Sequence, residues 1–359
     1  MVLTQVEKTN FVEAYKTFTR IVRHSFQNNN KEDDENEETF LSAHYFPYLF
    51  DTTSEQSNTE FEAVFIYEGN EYRYGFEYNA TAVECEWLYK RSLLTNRQST
   101  IFERETRNIR LGRSVKTSLE KYSADIDDDV LALSFFGSLK LRTKVFVDTL
   151  FCVFSILPVS FACEQNSEYM RDLYFRRDFT EEERPNLLSF LSAIDVGIKD
   201  ISIEKQDKKI KVFSYHENSE GSLTRVPIEI ESDGTLRAIT LYSLVRLAAL
   251  NGKGLLIDEF NSQLHPLLQK YIIDLMYDTG AEGQLIYTTH DTTFLDQKYI
   301  RRDQVWFVNK DKHGVSSLYS LADFKPRNDS NLANAYLGGA FGGIPILKDF
   351  SFGGENDGE

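Results

Sequence analysis

The sequence predicts an α/β fold with a parallel sheet that carries a site at the carboxyl ends of its strands. One short apolar run is followed by Asp258 and Glu259, and a second apolar run leads to His290. Between them a helical stripe of apolar residues begins at Pro266, a residue that suits the first turn of a helix. Strand, helix and strand in this order form a parallel crossover whose strand ends lie side by side. We therefore expect the two acids and the histidine to meet at one edge of the sheet.

The composition is that of a folded, acidic globular protein. The chain has 359 residues, of which 41% are hydrophobic, and a formal net charge of -16. This length predicts two domains or one domain with a large insertion. The charge disfavours direct binding of nucleic acid over the whole surface, although a local basic patch is compatible with it. The three cysteines show no Cys-x-x-Cys spacing, and the amino terminus has no apolar stretch of signal-peptide length. We expect a cytoplasmic protein without a zinc knuckle, a disulfide framework or a membrane span.

The amino-terminal part predicts a helix followed by an antiparallel sheet. Apolar residues recur at helical spacing over 9–26, which indicates a helix with one face on a core. Alternating segments at 60–67 and 72–78, joined through Gly69-Asn70, are typical of a hairpin. The apolar stretch 87–94 continues this sheet.

The middle of the chain predicts a mostly helical insertion over 96–199. It contains a strongly apolar segment at 142–157, which we interpret as a buried helix. On either side, residues 1–95 and 200–359 are expected to form the two halves of one discontinuous lobe. Further hairpins are expected at 209–230 and 304–321.

A small-residue turn at Ser232, Gly234 and Thr235 opens an apolar helix that ends at Gly252. Such a turn presents backbone N–H groups, a hydroxyl and the positive end of a helix dipole, which together can hold a phosphate group. An ordinary N-cap explains the same residues. Asp258 and Glu259 likewise have two interpretations, as a magnesium ligand beside a water-orienting base or as an acidic turn.

Four motifs follow one another along the chain. They are Ser232-Asp233-Gly234-Thr235, Asp258-Glu259, Leu264-His265-Pro266 and Thr288-Thr289-His290-Asp291. Their order resembles that of ABC-type ATPases of the SMC and RecF kind. More closely, the chain resembles the compact bacterial ATPases of the AAA-fifteen group that accompany abortive-infection and phage-defence genes. The resemblance implies an ABC-type P-loop NTPase core, with a mixed sheet, flanking helices and an antiparallel β subdomain.

The resemblance also implies a role for each motif. Asp258 would be the Walker B aspartate of the magnesium shell, Glu259 the catalytic glutamate, and His290 the switch histidine at the γ-phosphate. Residues 262–265 would form the D-loop. Ser232, Gly234 and Thr235 would form the signature turn, which meets the nucleotide of a second subunit. ATP and Mg²⁺ are the implied ligands, and a homodimer is the implied assembly.

The phosphate-binding loop departs from the family pattern. Lys8 and Thr9 stand where the family has lysine and a hydroxyl, which implies that Lys8 contacts phosphate and Thr9 contacts magnesium. Glu7 replaces the second glycine of the loop, and Val2 falls where the first should be. We expect the strand before this loop to be missing from the sheet. A longer natural chain and a degraded nucleotide site both explain this, and the intact Asp258, Glu259 and His290 favour the longer chain.

Two functions remain as hypotheses. The first is hydrolysis of ATP in a composite site of two protomers, which drives a conformational signal to a separate effector protein in anti-phage defence. The second is a non-hydrolysing scaffold or sensor that keeps the fold for protein contacts. The glycine-free segment before Thr9 favours the second hypothesis.

Overall fold

The computed structural model describes residues 2–4, 8–28, 40–140, 143–160, 164–206, 209–278, 283–296, 300–324 and 331–342. The helices in these ranges are α1 Lys8–Asn28, α2 Lys116–Leu119, α3 Ala132–Ser138, α4 Lys144–Val153, α5 Glu164–Arg177, α6 Arg184–Ala193, α7 Asp233–Asn251, α8 Pro266–Asp278 and α9 Leu332–Leu337. The strands are β1 Val2–Thr4, β2 Thr59–Tyr67, β3 Asn70–Tyr78, β4 Val83–Ser92, β5 Gln98–Glu105, β6 Asn108–Leu111, β7 Ile156–Ser160, β8 Ile198–Gln206, β9 Lys209–Glu217, β10 Leu223–Pro227, β11 Gly254–Asp258, β12 Leu285–Thr289, β13 Val305–Lys310 and β14 Ser316–Ser320.

A six-stranded mixed sheet forms the centre of the fold, with the order β14-β13-β1-β12-β11-β7. β11 and β12 pair in parallel through Leu255 with Leu285 and Ile257 with Tyr287, as the crossover pattern predicts. β7 and β13 run in the same direction, and β14 is antiparallel at one edge. The carboxyl ends of the five parallel strands therefore lie at one edge of the sheet.

The expectation that this sheet lacks a central strand is wrong. Residues Val2–Thr4 form β1, which pairs in parallel with β12 on one side and β13 on the other. Val2 thus lies in a strand and not at the first position of a phosphate loop. Three residues are too few for a recognisable alternation, so only pairing with neighbours on both sides defines this strand.

Helix α1 lies between the central sheet and an antiparallel sheet of order β2-β3-β4-β5-β6. Its Val12 packs with Leu256 and Ile286 of the central sheet. Its Phe18 and Ile21 belong to the aromatic core over the antiparallel sheet. The helical stripe therefore serves two cores, which explains why α1 is apolar on more than one side.

The opposite face of the central sheet is covered by α7 and α8. Leu255 and Ile257 of β11 point into this larger core, whereas Leu256 between them faces α1. This alternation buries every residue of β11, as expected for a strand covered on both faces. A third sheet, of order β10-β9-β8, leads into the turn before α7.

The segment 96–199, predicted to be mostly helical, contains three strands that the prediction did not include. β5 and β6 complete the antiparallel sheet, and β7 pairs with β11 in the central sheet. The apolar segment 142–157 divides into α4 and the start of β7, since a continuous apolar run suits a buried helix and a buried strand equally. Helices α2 to α6 agree with the prediction. The division of the chain into lobes at 95 and 200 stays a prediction.

Within the described residues, each helix is too short or too polar to cross a membrane.

Candidate functional site

The site begins at the carboxyl end of β11, where Asp258 is fully buried. Its two carboxylate oxygens accept hydrogen bonds from hydroxyl groups on different elements. Thr288 Oγ1, at the end of β12, donates to Oδ1 at 2.7 Å. Thr9 Oγ1, in the first turn of α1, donates to Oδ2 at 3.2 Å. Residues separated by about 250 positions in the chain are therefore joined at one carboxylate.

Glu259 is the first residue after β11. Its φ of 55° is incompatible with an extended strand, so the strand ends before it. Its N–H donates to Thr288 Oγ1 at 2.8 Å, and its carbonyl oxygen accepts a hydrogen bond from Arg237 Nη2. Burial lowers the pKa of the Arg237 guanidinium to about 10, and the Glu259 carboxylate opposes that shift. A positive φ raises the conformational energy of a residue other than glycine, and these hydrogen bonds stabilise that conformation at Glu259. They thereby hold its side chain at the strand edge.

His290 lies where the crossover predicts it, beside the acids. Its Nε2 is 3.5 Å from Glu259 Oε1, with 53% of the histidine side chain and 30% of the glutamate side chain exposed. Asn261 Oδ1 accepts hydrogen bonds from Thr289 Oγ1 at 3.1 Å and from the backbone N–H of His290 at 3.2 Å. Asn261 therefore joins the loop after β11 to the loop after β12.

The turn before α7 is an N-cap. Ser232 Oγ accepts from the N–H of Thr235 at 3.2 Å and lies 2.8 Å from Thr235 Oγ1. A Cβ atom on Gly234 would stand 3.3 Å from the carbonyl oxygen of Gln263. The turn therefore packs against the segment 262–265, so two of the predicted motifs meet on the surface next to Glu259. The structure confirms that Ser232 is an N-cap, and this geometry is compatible with phosphate binding at the same turn.

Lys8 is the first residue of α1, and its side chain lies outside the described part of the chain, as do residues 5–7. The connection from β1 to α1 comprises these three residues, fewer than a Gly-x-x-x-x-Gly loop needs. Thr9 is the residue of this predicted group that the structure brings to Asp258.

The Thr9 hydroxyl and the Asp258 carboxylate fit a magnesium ion. Mg²⁺ takes oxygen ligands at about 2.0–2.1 Å in an octahedron, so adjacent ligand oxygens stand about 2.9 Å apart. The corresponding oxygens are 3.2 Å apart here. Magnesium sites commonly use one or two protein oxygens together with water and phosphate, and the donor set matches that pattern.

The sequence missed three residues that build this site: Thr288, Asn261 and Arg237. Thr288 stands in the motif that contains His290, and Asn261 follows Glu259 by two residues. Polar residues at strand ends are a signal for both. Arg237 has a weaker signal, since a charged residue stands among apolar ones in α7. Its contact with Glu259 depends on how α7 packs on β11.

Solved structures of SMC head domains are similar to this chain at low identity. The SMC head bound to the C-winged helix domain of ScpA is 13% identical, with a TM-score of 0.38 and 89% of each chain covered. The SMC head domain from Thermotoga maritima is 11% identical, with a TM-score of 0.31, and the match covers 70% of this chain and 74% of that one. An SMC head domain with an extended coiled coil, bound to the C-terminal domain of ScpA derived from Pyrococcus furiosus, is 11% identical, with a TM-score of 0.38 and 89% of each chain covered. No curated protein matches the chain significantly.

One family model matches residues 8–296, a range that includes Thr9, Ser232, Asp258, Glu259 and His290. AAA domains are nucleotide-binding ATPase domains, so the expectation of an ATP-binding protein is confirmed at the level of the family. The predicted relation to abortive-infection ATPases is confirmed as well. The chain belongs to the family described as "AAA domain, putative AbiEii toxin, Type IV TA system".

Proposed function

We propose that this protein hydrolyses ATP at the edge of the central sheet. The observation that carries the proposal is the Thr9 hydroxyl on the Asp258 carboxylate, with Glu259 and His290 paired beside it. A hydroxyl in the first turn of a helix, a buried carboxylate and an exposed acid–histidine pair suit a phosphate-bearing substrate with its metal ion.

Each residue of the site has a separate task. Asp258 and Thr9 would hold the magnesium ion, and Thr288 fixes the carboxylate that does so. The ion, when bound, supplies positive charge against the phosphate oxygens. Glu259 orients the attacking water and accepts its proton, and His290 donates a hydrogen bond to the γ-phosphate. Lys8 would neutralise a phosphate oxygen from the start of α1.

The site is open to solvent, and this supports a second protomer as its other wall. Ser232 is exposed, Gly234 is half-buried against the segment 262–265 and Thr235 is buried, so a partner chain related by a twofold axis could present the Ser232 and Gly234 side of this turn to the nucleotide. Closure of such a homodimer would signal to a separate effector protein. We place this activity in the cytoplasm and in anti-phage defence, in accord with the abortive-infection family.

The test of the catalytic role is steady-state ATP turnover with Glu259→Gln. We expect turnover to fall about 100-fold or more, the usual contribution of a general base. Glu105→Gln is the matched control, because it removes the same charge from an exposed position in β5. Equal rates for Glu259→Gln and the wild type would remove Glu259 from the mechanism.

The alternative, a non-hydrolysing scaffold or sensor, is favoured by one observation. Three residues join β1 to α1, and Glu7 is among them. A carboxylate at that position repels phosphate, and the connection lacks the glycines that cradle it. If the wild-type protein shows no ATP turnover above that of a sample without protein, the scaffold becomes the better account.

A further inference from the structure

A polar cavity lies at the edge of the central sheet opposite to the Asp258 site. It has a volume of about 330 Å³ and is bounded by α1, the segment joining α4 to β7, and the residue before β11. Its basic residues are Lys16, Arg20, Arg23, His24 and Lys253. The four basic residues on α1 follow one another at spacings of four, three and one, which places them along one side of the helix over about 12 Å.

The floor of this basic pocket is apolar. Phe154, Ile156, Leu157 and Pro158 form it, where α4 gives way to β7. The guanidinium of Arg23 stands over the Phe154 ring, 4.8 Å from its centroid. This contact restricts the Arg23 side chain at the rim of the pocket. Less side-chain conformational entropy is therefore lost when an anion binds there.

Among the residues that the structure describes, few carboxylates compensate the positive charge of the pocket. Lys16 Nζ pairs with Glu13 Oε1 at 2.7 Å. Arg20, Arg23 and Lys253 make no ion pair with any carboxylate in the described part of the chain. In a protein with 56 acidic and 40 basic residues, three neighbouring cations that have no acidic partner among the described residues indicate a site for an anionic ligand.

The pocket is separate from the Asp258 site. Lys253 immediately precedes β11, and Asp258 ends that strand, so the two sites lie roughly 13 Å or more apart at opposite strand ends. Helix α1 begins at the Asp258 site and carries its basic side chains away from it. None of the pocket residues contributes to the proposed hydrolysis of ATP.

We propose that the basic pocket binds a small ligand that carries two or more phosphate groups. Several arginine and lysine side chains line one cavity, which suits a ligand with more than one phosphate, and guanidinium groups bind phosphate oxygens through paired hydrogen bonds. The apolar floor accommodates the remainder of such a ligand. A small anion interacts with the local charge only, because screening limits exposed charges to about 8–10 Å. A nucleic-acid strand would extend beyond the pocket over a surface of net charge -16.

The test is titration calorimetry of the full chain with inorganic pyrophosphate in the absence of magnesium. We expect saturable binding that weakens at least tenfold in Arg20→Ala/Lys253→Ala. The control is Arg97→Ala/Lys140→Ala, which removes two exposed cations elsewhere and should change the affinity less than twofold. Thermal unfolding of both double variants shows whether they are folded. Because Arg20 and Lys253 lie outside the Asp258 site, a failure of ATP hydrolysis leaves this test intact.

Four results would overturn the proposal. The first is the absence of pyrophosphate binding by the wild type, and the second is equal weakening in both double variants. The third is a twelve-nucleotide single strand that binds at least tenfold more tightly than pyrophosphate and is lost in Arg20→Ala/Lys253→Ala, which would assign the pocket to nucleic acid. The fourth is binding that appears only after the six acidic residues between 32 and 38 are replaced by serine, which would make a segment of this chain the ligand.

Discussion

Thr288 is the residue on which the geometry of the candidate site depends most. Its hydroxyl donates to Asp258 Oδ1 and accepts from the Glu259 N–H, so one side chain orients both acids. The sequence identified Asp258, Glu259 and His290 because their residue types carry chemistry. The Thr288 side chain carries no charge and takes no direct part in the proposed reaction. Its importance comes from the register of β11 with β12. Residues that hold catalytic groups are therefore harder to predict than the groups themselves.

We expect Thr288→Val to destabilise the protein by about 2 kcal/mol, since it leaves a buried carboxylate oxygen and a backbone N–H without the shared partner. Valine has nearly the same shape, so packing in β12 is kept. Thr288→Ser keeps the hydroxyl and is the control, with an expected loss below about 1 kcal/mol. Urea unfolding at equilibrium measures both. If valine and serine give the same free energy of unfolding, the hydroxyl does not contribute as we argue.

At the scale of elements, helices and strands with a clear period were predicted and the shortest strand was not. α1, the hairpin of β2 and β3, α7, β11 and β12 follow from apolar spacing and from Gly252, which ends α7 at φ 60°. β1 has three residues, too few to show a period. β7 follows α4 after a break at Ser155, and one apolar run contains both. In these cases tertiary pairing decides the structure and the local pattern does not.

The cap of α7 and its proposed contact with a partner's nucleotide can be separated experimentally. Ser232→Ala removes the acceptor for the Thr235 N–H and should cost about 1 kcal/mol of stability. Ser232→Asp keeps an acceptor there and adds a negative charge. We expect it to unfold like the wild type in urea and to lose ATP turnover about tenfold or more, through repulsion of phosphate. Full turnover in Ser232→Asp would leave Ser232 with the cap alone.

At the scale of the whole molecule, the candidate site is open on one side. Asp258 is buried by its own chain, but His290 and Glu259 remain partly exposed. Exclusion of water strengthens the electrostatic interactions that hydrolysis of a phosphate requires, so a chain that hydrolyses ATP needs a cover for this edge. The turn at Ser232 and Gly234 lies on the same surface and suits that purpose in a symmetric pair. No pattern in the sequence predicts such a surface without the resemblance to known ATPases.

Closure of two protomers over ATP is measurable as mass in solution. Glu259→Gln should retain ATP without hydrolysing it, so we expect its mass by light scattering to rise from the 41.5 kDa of one chain to twice that value with ATP and magnesium. ATP at about 100 times its Kd should also stabilise the fold by about 2.7 kcal/mol, seen as a higher melting temperature. AMP with magnesium is the control, since it lacks the γ-phosphate that His290 would bind. A higher melting temperature without a change in mass would mean that one chain binds ATP alone, against the composite site. If ATP changes neither the melting temperature nor the mass, the scaffold is favoured, because a site that does not bind phosphate cannot join two chains through ATP.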